Sequence, residues 1–187
     1  MSLIKHLQTY RCSQFNSDDH TVEKFNDFHE NFKDKSPSCF SRDLLEGHFT
    51  ASAFIIRSIN NKIYTLLMHH RKLGIWIQPG GHADENNNLL EVATTEVLEE
   101  TGLSCNPLLD GNLLDIDINN IPQYGSTPEH LHYDARYLFQ YDGDGSFVVN
   151  NESNALAWRP IEEVINDANL DLSLRQMAKK AVLAVSL

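Results

Sequence analysis

Cysteine is scarce in this chain of 187 residues, with three thiols at positions 12, 39 and 105 and no Cys-x-x-Cys pair. An odd number of widely separated cysteines argues against a disulfide framework and against a zinc–thiolate centre. We therefore expect a reducing, cytoplasmic environment in which the three thiols pack against other side chains or face solvent.

Long apolar runs are also missing. No stretch reaches the roughly 18 apolar residues of a membrane helix, and residues 1–16 lack the apolar core of a secretory signal, so no membrane association is expected. The net charge of −11 disfavours binding to duplex nucleic acid, whose phosphates attract basic surfaces. Length and composition, with 41% hydrophobic and 22% charged residues, fit one globular domain and an additional element.

Positive charge is absent from the middle of the chain. Between Leu73 and Ala135 there is no lysine or arginine, whereas eleven aspartates and glutamates occur there. A solvated acidic surface accounts for most of these carboxylates. A small phosphorylated substrate is compatible with such a surface if a bound metal ion supplies the positive charge.

Hydrophobic periodicity predicts an α+β fold in which helices cover one main sheet. Residues 1–46 are expected to form a helical extension on a main domain of residues 47–187, because five apolar side chains recur at mostly three- and four-residue steps: Phe15, Val22, Phe25, Phe28 and Phe32. Strands are predicted at 51–58, 62–70, 75–77, 112–118, 130–141, 147–150 and 156–158. Helices are predicted at 89–101, 160–167 and 172–186.

The predicted helix at 89–101 carries three glutamates on one side. Glu96, Glu99 and Glu100 stand at i, i+3 and i+4, where like charges destabilise a helix by roughly 0.2–0.5 kcal/mol per pair, and no basic residue lies within one turn. A hard divalent cation such as Mg²⁺ would relieve this repulsion, and the alternative is a solvated acidic face. Burial is predicted for the opposite side of the helix: Leu90, Thr94, Val97 and Leu98.

Two glycines, Gly80 and Gly81, precede this helix. Glycine permits a close approach of the backbone to a ligand, so we expect a pocket for a metal ion and phosphate oxygens at this point. The alternative is a tight turn that requires a positive φ. Asn88 with Glu91 predicts a capping pair at the helix start, and Gly102 predicts a left-handed residue at its end.

Seven residues of this segment resemble the Nudix box, G-x5-E-x7-R-E-U-x-E-E-x-G-U, in which U is aliphatic. The matching residues stand at the full spacing of the box: Gly81, Glu96, Val97, Glu99, Glu100, Gly102 and Leu103. Two positions depart from it. Asn87 replaces the first glutamate, and Thr95 replaces the arginine that orients the catalytic glutamates in the family.

The resemblance implies an α/β/α sandwich with a mixed β-sheet, to which the N-terminal helical extension is added. It also implies that Glu96, Glu99 and Glu100 bind Mg²⁺ or Mn²⁺, together with the Gly81 carbonyl. Catalytic roles would fall to Glu96, to Glu99 and to Glu152. The last of these stands six residues before a tryptophan, the spacing of a further ligand or general base in many family members.

The predicted strand at 130–141 alternates polar and apolar residues, so one of its faces could line a substrate pocket. Arg136, or the histidines His130 and His132, would then contact phosphate, and Arg136 or a histidine would replace the missing box arginine. The alternatives are a solvent-facing strand and a zinc site at the two histidines, which would need ligands from elsewhere in the chain. Further substrate contacts are expected around the glycine pair, with core packing or solvent exposure as the alternatives: Trp76, Gly80, Gly81 and His82.

Together these features predict a metal-dependent hydrolase that splits the pyrophosphate bond of a nucleoside diphosphate linked to another moiety. Its substrate would be small and nucleotide-like, and a homodimer is left open. The departures at Asn87 and Thr95 support a second hypothesis, a Nudix-fold nucleotide-binding module with weakened catalysis. A third hypothesis, a diphosphate isomerase of the same fold, has no positive feature in this sequence.

Overall fold

The computed structural model describes residues 2–16, 18–150 and 153–186. Within them five α-helices are formed: α1 (Leu3–Arg11), α2 (Asp19–Phe32), α3 (Leu89–Thr101), α4 (Ile161–Asn166) and α5 (Leu172–Val185). Eight strands form one sheet: β1 (Gly47–Ile59), β2 (Lys62–His70), β3 (Trp76–Ile77), β4 (Gly80–His82), β5 (Asn106–Pro107), β6 (Leu113–Ile121), β7 (His130–Gln140) and β8 (Ser153–Pro160). None of the described helices combines the length and the apolarity that a membrane span needs.

Strand β1 is the centre of the sheet. It pairs antiparallel with β2 and β4, and it pairs parallel with β7 from Gly47 opposite Leu131 to Ile56 opposite Gln140. Strand β7 also pairs antiparallel with β5 and β6, while β2 pairs antiparallel with β3 and β8. The sheet is therefore mixed, as the resemblance implied.

The turn between β1 and β2 is made by Asn60 and Asn61, whose φ angles are 49° and 61°. Asparagine is one of the few residues other than glycine that tolerate the left-handed region, and two such residues in succession suit a tight hairpin. The predicted hairpin is confirmed.

Helices cover both faces of the sheet. On the face that carries Phe49, α2 inserts Phe25 and Phe28, whose ring centroids lie 5.8 and 5.5 Å from that of Phe49. Tyr133 of β7 belongs to the same face and stacks on Phe28 at 4.0 Å. Helix α5 covers the opposite face, where Arg136 donates a hydrogen bond to it. The expected α/β/α layering is confirmed.

The N-terminal extension is part of the same core. His6 Nδ1 of α1 lies 3.0 Å from the Tyr137 hydroxyl, and the Tyr10 hydroxyl donates a hydrogen bond to Asp115 of β6 at 3.2 Å. The sheet begins at Gly47, in agreement with the expected end of the extension at residue 46. The division of the chain into two parts stays a prediction.

Helix α3 spans the predicted residues, but the prediction of its buried side was wrong. Leu98 is 57% exposed and Thr94 is also exposed, whereas Ala93 and Glu100 are buried together with Val97. The reason lies in β4, whose two glycines have no side chains and leave room for the glutamate side of the helix to pack on the sheet.

Two other segments differ from the predictions. Residues 80–82 form the short strand β4, because they pair with residues 50–52 of β1. Residues 147–150 form no strand. The N–H of Val148 instead donates to the Thr101 carbonyl at 2.8 Å, so this segment packs over the end of α3.

The predictions for the two ends of α3 had different outcomes. Gly102 ends the helix in the left-handed region, with φ of 71°, as predicted. Asn88 makes no side-chain hydrogen bond to the backbone of the first turn; its amide donates to the Glu91 carboxylate at 3.3 Å. The predicted pair therefore exists, but as a contact between side chains.

Replacing Phe28 with alanine is expected to lower the free energy of unfolding by about 3–5 kcal/mol, the usual cost of removing a buried aromatic ring. Phe28 is 6% exposed and contacts both Phe49 and Tyr133. Urea unfolding followed by circular dichroism measures the change. The control is Leu45→Ala, because Leu45 is 59% exposed and its truncation should cost less than about 0.5 kcal/mol. Equal effects of the two substitutions would show that α2 does not stabilise the core.

Candidate functional site

Glu100 is the buried member of the three glutamates. It is 4% exposed, and one of its carboxylate oxygens accepts a hydrogen bond from the Gly80 N–H at 2.8 Å. A buried carboxylate is unfavourable without such compensation. This hydrogen bond therefore fixes the last turn of α3 to β4.

Glu96 lies one turn earlier and packs directly on Gly81. A Cβ atom at Gly81 would overlap the Glu96 carboxylate, and a Cβ atom at Gly80 would overlap the side chain of Ser52 in β1. Neither glycine has a positive φ. Gly80 is therefore required by close packing on β1, whereas a side chain at Gly81 would push away the flexible end of Glu96, and neither glycine serves a tight turn.

The third glutamate, Glu99, stands beside these two residues and is exposed. The three carboxylates thus occupy one end of α3, and two of them are held against the glycine strand. Oxygen ligands of this kind are those that Mg²⁺ and Mn²⁺ prefer, so the donor set fits a hard divalent cation. The participation of the Gly81 carbonyl stays a prediction.

A positive charge reaches this region from the N-terminal extension. Arg42 donates hydrogen bonds to the Asp84 carboxylate from Nε, at 2.6 Å, and from Nη2. These bonds raise the pKa of Arg42 above its ordinary value, and the negative charges of Asp84 and Glu96 contribute to the increase. Sequence reasoning missed Arg42, because its placement depends on the Glu85 N–H bonding to the Phe40 carbonyl, which no local pattern shows.

Arg136, predicted to contact phosphate, is instead enclosed by carboxylates. It is 4% exposed and donates to Asp134 at 2.9 Å, to Asp117 at 2.8 Å and to Asp115 at 3.2 Å. Burial alone would lower the pKa of this guanidinium, but the three carboxylates raise it above its ordinary value. The structure therefore argues against the predicted phosphate contact, because the side chain is already paired within the core.

Four histidines lie together on the sheet: His48 of β1, His82 of β4, and His130 and His132 of β7. Neighbouring ring centroids are separated by 4.7–5.0 Å. The structure thus brings together three of the predicted site residues. It adds His48, which sequence reasoning missed because this residue begins a long, mostly apolar strand.

The histidine cluster and Glu96 approach the sheet from opposite faces. His82 pairs with Thr50 and Gly81 pairs with Ala51, and successive residues of a strand point to opposite faces. Glu96 packs on the Gly81 side. One short strand therefore separates the carboxylates from the histidines.

Burial determines the charge of the two most enclosed histidines. Burial, the largest cause, and the neighbouring histidines together lower the pKa of His48 to about 4 and that of His132 to about 3, while the backbone of Leu44 partly opposes the shift at His48. Both imidazoles are therefore neutral near pH 7. A neutral imidazole donates a lone pair more readily than it attracts a phosphate.

Trp76 lies apart from these groups. It is half-buried on β3, its ring centroid is 5.2 Å from that of His69, and it lines an open cleft of about 520 Å³ with Arg159 and Leu170. In the described parts of the chain, neither the box glutamates nor the clustered histidines line this cleft. The structure thus does not bring Trp76 together with the other predicted site residues.

Glu152, the predicted further ligand or general base, lies outside the described residues. The tryptophan whose spacing suggested it, Trp158, donates from Nε1 to the Gly145 carbonyl at 3.0 Å and stacks on Tyr141 at 5.7 Å. The role of Glu152 stays a prediction.

A sequence profile of the NUDIX domain matches residues 48–181. The chain belongs to the Nudix family. The matched segment begins within β1, so helices α1 and α2 lie outside it.

Solved Nudix structures share this fold at low sequence identity. An Ap4A hydrolase from C. elegans, in a binary complex, is 18% identical with a TM-score of 0.60 over 74% of this chain and 97% of that one. A MutT protein from Methanosarcina mazei Go1 is 18% identical with a TM-score of 0.56, over 77% and 99% of the two chains. The NUDIX domain of Shewanella oneidensis NrtR, complexed with ADP ribose, is 16% identical with a TM-score of 0.51, over 73% and 87%. These similarities support the Nudix fold of this chain.

Replacing Arg136 with alanine is expected to destabilise this Nudix protein by about 3–5 kcal/mol, because buried carboxylates lose their cation. Chemical unfolding measures the effect. The control is Arg11→Ala, since the Arg11 side chain is 44% exposed and its ion pairs should contribute less than about 1 kcal/mol. If Arg136→Ala instead left stability unchanged and weakened substrate binding, the result would support a contact between Arg136 and the phosphate of the substrate.

Proposed function

We propose that this Nudix protein is a divalent-metal-dependent hydrolase that cleaves a pyrophosphate bond in a nucleoside diphosphate linked to another moiety. The observation that carries the proposal is the placement of Glu96 and Glu100 against Gly80 and Gly81, with Glu99 exposed beside them. Membership of the Nudix family supports a pyrophosphate-cleaving hydrolase as the general class.

The charges of the site explain the need for a cation. A diphosphate and three glutamates repel each other, and the described chain from Leu73 to Ala135 contributes no lysine or arginine to offset this repulsion. Glu96, Glu99 and Glu100 would hold Mg²⁺ or Mn²⁺. When bound, such an ion neutralises phosphate oxygens and lowers the pKa of a coordinated water.

Two of the three glutamates, Glu100 and Glu99, would have different tasks. Glu100 is fixed by the Gly80 N–H, so it would position the ion relative to the sheet. Glu99 is exposed and its carboxylate can accept a proton from the attacking water. Glu152 is the other candidate for that base. Arg42, through its charge near Glu96 and Asp84, would favour the approach of an anionic substrate.

The substrate class is supported by two of the similar structures. One is an Ap4A hydrolase and another was solved with ADP ribose. Both compounds contain adenosine and phosphates joined through anhydride bonds. We therefore propose a small nucleotide of this kind as substrate.

A second candidate function is nucleotide binding without hydrolysis. It is favoured by Asn87 and Thr95, which stand where the box has a glutamate and an arginine, and both of which are exposed. Neither side chain can act as a cation or as an anionic ligand. A metal-dependent assay distinguishes the two functions.

Glu99→Gln and Glu100→Gln are each expected to lower Mg²⁺-dependent turnover by about 100-fold or more, the usual contribution of a metal ligand or general base. The assay measures release of nucleotide from a panel that includes ADP-ribose and Ap4A, with Mg²⁺ or Mn²⁺ and with chelator. The control is Glu91→Gln, because Glu91 is an exposed residue in the first turn of the same helix.

Turnover that is unchanged in both glutamate variants would contradict the proposed hydrolase. Tight binding of a panel member by the unsubstituted protein, with no hydrolysis under any metal condition, would support the binding module. Circular dichroism of each variant shows whether a loss of turnover reflects a loss of fold.

A further inference from the structure

We propose that His48, His130 and His132 form a binding site for a transition-metal cation of the Zn²⁺ class, distinct from the carboxylates of α3. Each residue offers one ring nitrogen, and these three atoms lie within 4.8 Å of one another. The proposal does not depend on the hydrolase function, because the two donor sets lie on opposite faces of the sheet.

The distances are close to those of a filled site. Zinc–imidazole bonds of roughly 2.0–2.1 Å in a tetrahedron place neighbouring ligand atoms about 3.3 Å apart. His130 Nε2 and His132 Nε2 are already 3.1 Å apart. Small rotations of the half-buried His130 and His132 side chains toward the buried His48 would therefore complete the set of three nitrogens.

The backbone holds the three residues in fixed positions. His48 and His132 face each other across the parallel pairing of β1 and β7, and His130 lies two residues earlier on the same face of β7. Ligands on paired strands need little ordering on binding, because their main chains are already fixed. The geometry thus resembles a preformed site and not a chance cluster of surface side chains.

The ring nitrogens of His48 are buried and their hydrogen bonding is not satisfied. His48 is 2% exposed, and neither of its ring nitrogens forms a hydrogen bond of ordinary geometry among residues 2–16, 18–150 and 153–186, although the Leu44 backbone lies close enough to raise its pKa. A buried polar side chain without a hydrogen bond is unfavourable and uncommon in folded proteins. A cation between the three rings would satisfy one of these nitrogens.

The tautomer of His130 is already the one that a metal requires. Its Nδ1 lies 2.9 Å from the Pro128 carbonyl, which can only accept a hydrogen bond, so the proton is on Nδ1. In the neutral ring the lone pair is therefore on Nε2, where it accepts a hydrogen bond from His132 Nε2, and a cation bound there would require that proton of His132 to move to Nδ1. A carbonyl that orients a histidine in this way is a common outer partner in metal sites.

The chemistry of the donors separates the two metal sites. Imidazole nitrogens favour Zn²⁺, Co²⁺, Ni²⁺ and Cu²⁺, whereas carboxylates and water favour Mg²⁺ and Mn²⁺. Three protein ligands leave a fourth position for water or a small anion. His82 stands next to this position, with its ring centroid 5.0 Å from those of both His48 and His132.

The site can be tested by titrating the chelator-treated full chain with Zn²⁺ and Co²⁺. The Glu99→Gln variant is used as background, so that zinc binding to the glutamates is reduced. Isothermal calorimetry gives stoichiometry and affinity, and the visible spectrum of Co²⁺ distinguishes four- or five-coordinate nitrogen ligation from the weak absorption of a six-coordinate oxygen site. Cys12→Ser excludes the exposed thiol as a ligand.

We expect one Zn²⁺ per chain in this background, and an affinity at least about 100-fold lower after His132→Ala or His130→Ala, which remove a ligand outright. The matched control is His20→Ala, an exposed histidine on α2, which should bind zinc unchanged. If one of these two variants does not fold, the other decides the matter.

Zinc affinity that is the same in His130→Ala as in the background would overturn the proposal. The absence of any stoichiometric Zn²⁺ or Co²⁺ binding would overturn it as well. A Glu100→Gln substitution that removes zinc binding while His130→Ala keeps it would assign the bound ion to the carboxylates of α3 instead.

Discussion

The contact between two glutamates and two glycines is the interaction on which the candidate active site depends. Because β4 has no side chains at Gly80 and Gly81, Glu100 can accept a hydrogen bond from the strand backbone and the Glu96 carboxylate can occupy the space that a Gly81 side chain would fill. This contact also determines which side of α3 is buried. The apolar side chain of Leu98 is left exposed so that carboxylates can face the sheet.

The lack of positive charge in the middle of the chain is compensated by residues from both ends. Lys180 of α5 pairs with Asp115 at 2.6 Å, and Arg42 of the N-terminal extension pairs with Asp84. The N-terminal extension and α5 thus contribute cations as well as apolar surface. In our proposal a bound metal ion performs the same task for the glutamates of α3.

Much of the fold could be predicted from local patterns. Gly102 marked the end of α3, the period of apolar residues gave α5 nearly to the residue, and the Asn60-Asn61 pair gave the first hairpin. The candidate site was harder to predict from the sequence, since its assembly depends on contacts between segments that are distant in the chain. Arg136 alternates with apolar residues as an exposed side chain would, yet it is buried because three aspartates surround it.

The placement of His48 could not be predicted for the same reason. The parallel pairing of β1 with β7 sets it opposite His132, which lies 84 positions later in the chain. No periodicity or spacing links these two segments, so the histidine cluster became visible only in the fold. The spacing of the glutamates, by contrast, is local to one helix. That is why the carboxylate site could be predicted and the histidine cluster only in part.

Calorimetric titration with Mn²⁺, on the unsubstituted chain and on Gly81→Ala, tests the central claim most directly. A Cβ at this position would displace the Glu96 carboxylate. The account predicts that the unsubstituted chain binds Mn²⁺ and that Gly81→Ala binds it at least about tenfold more weakly with its circular dichroism unchanged. Equal affinities in the two proteins, or no Mn²⁺ binding by the unsubstituted chain, would contradict it.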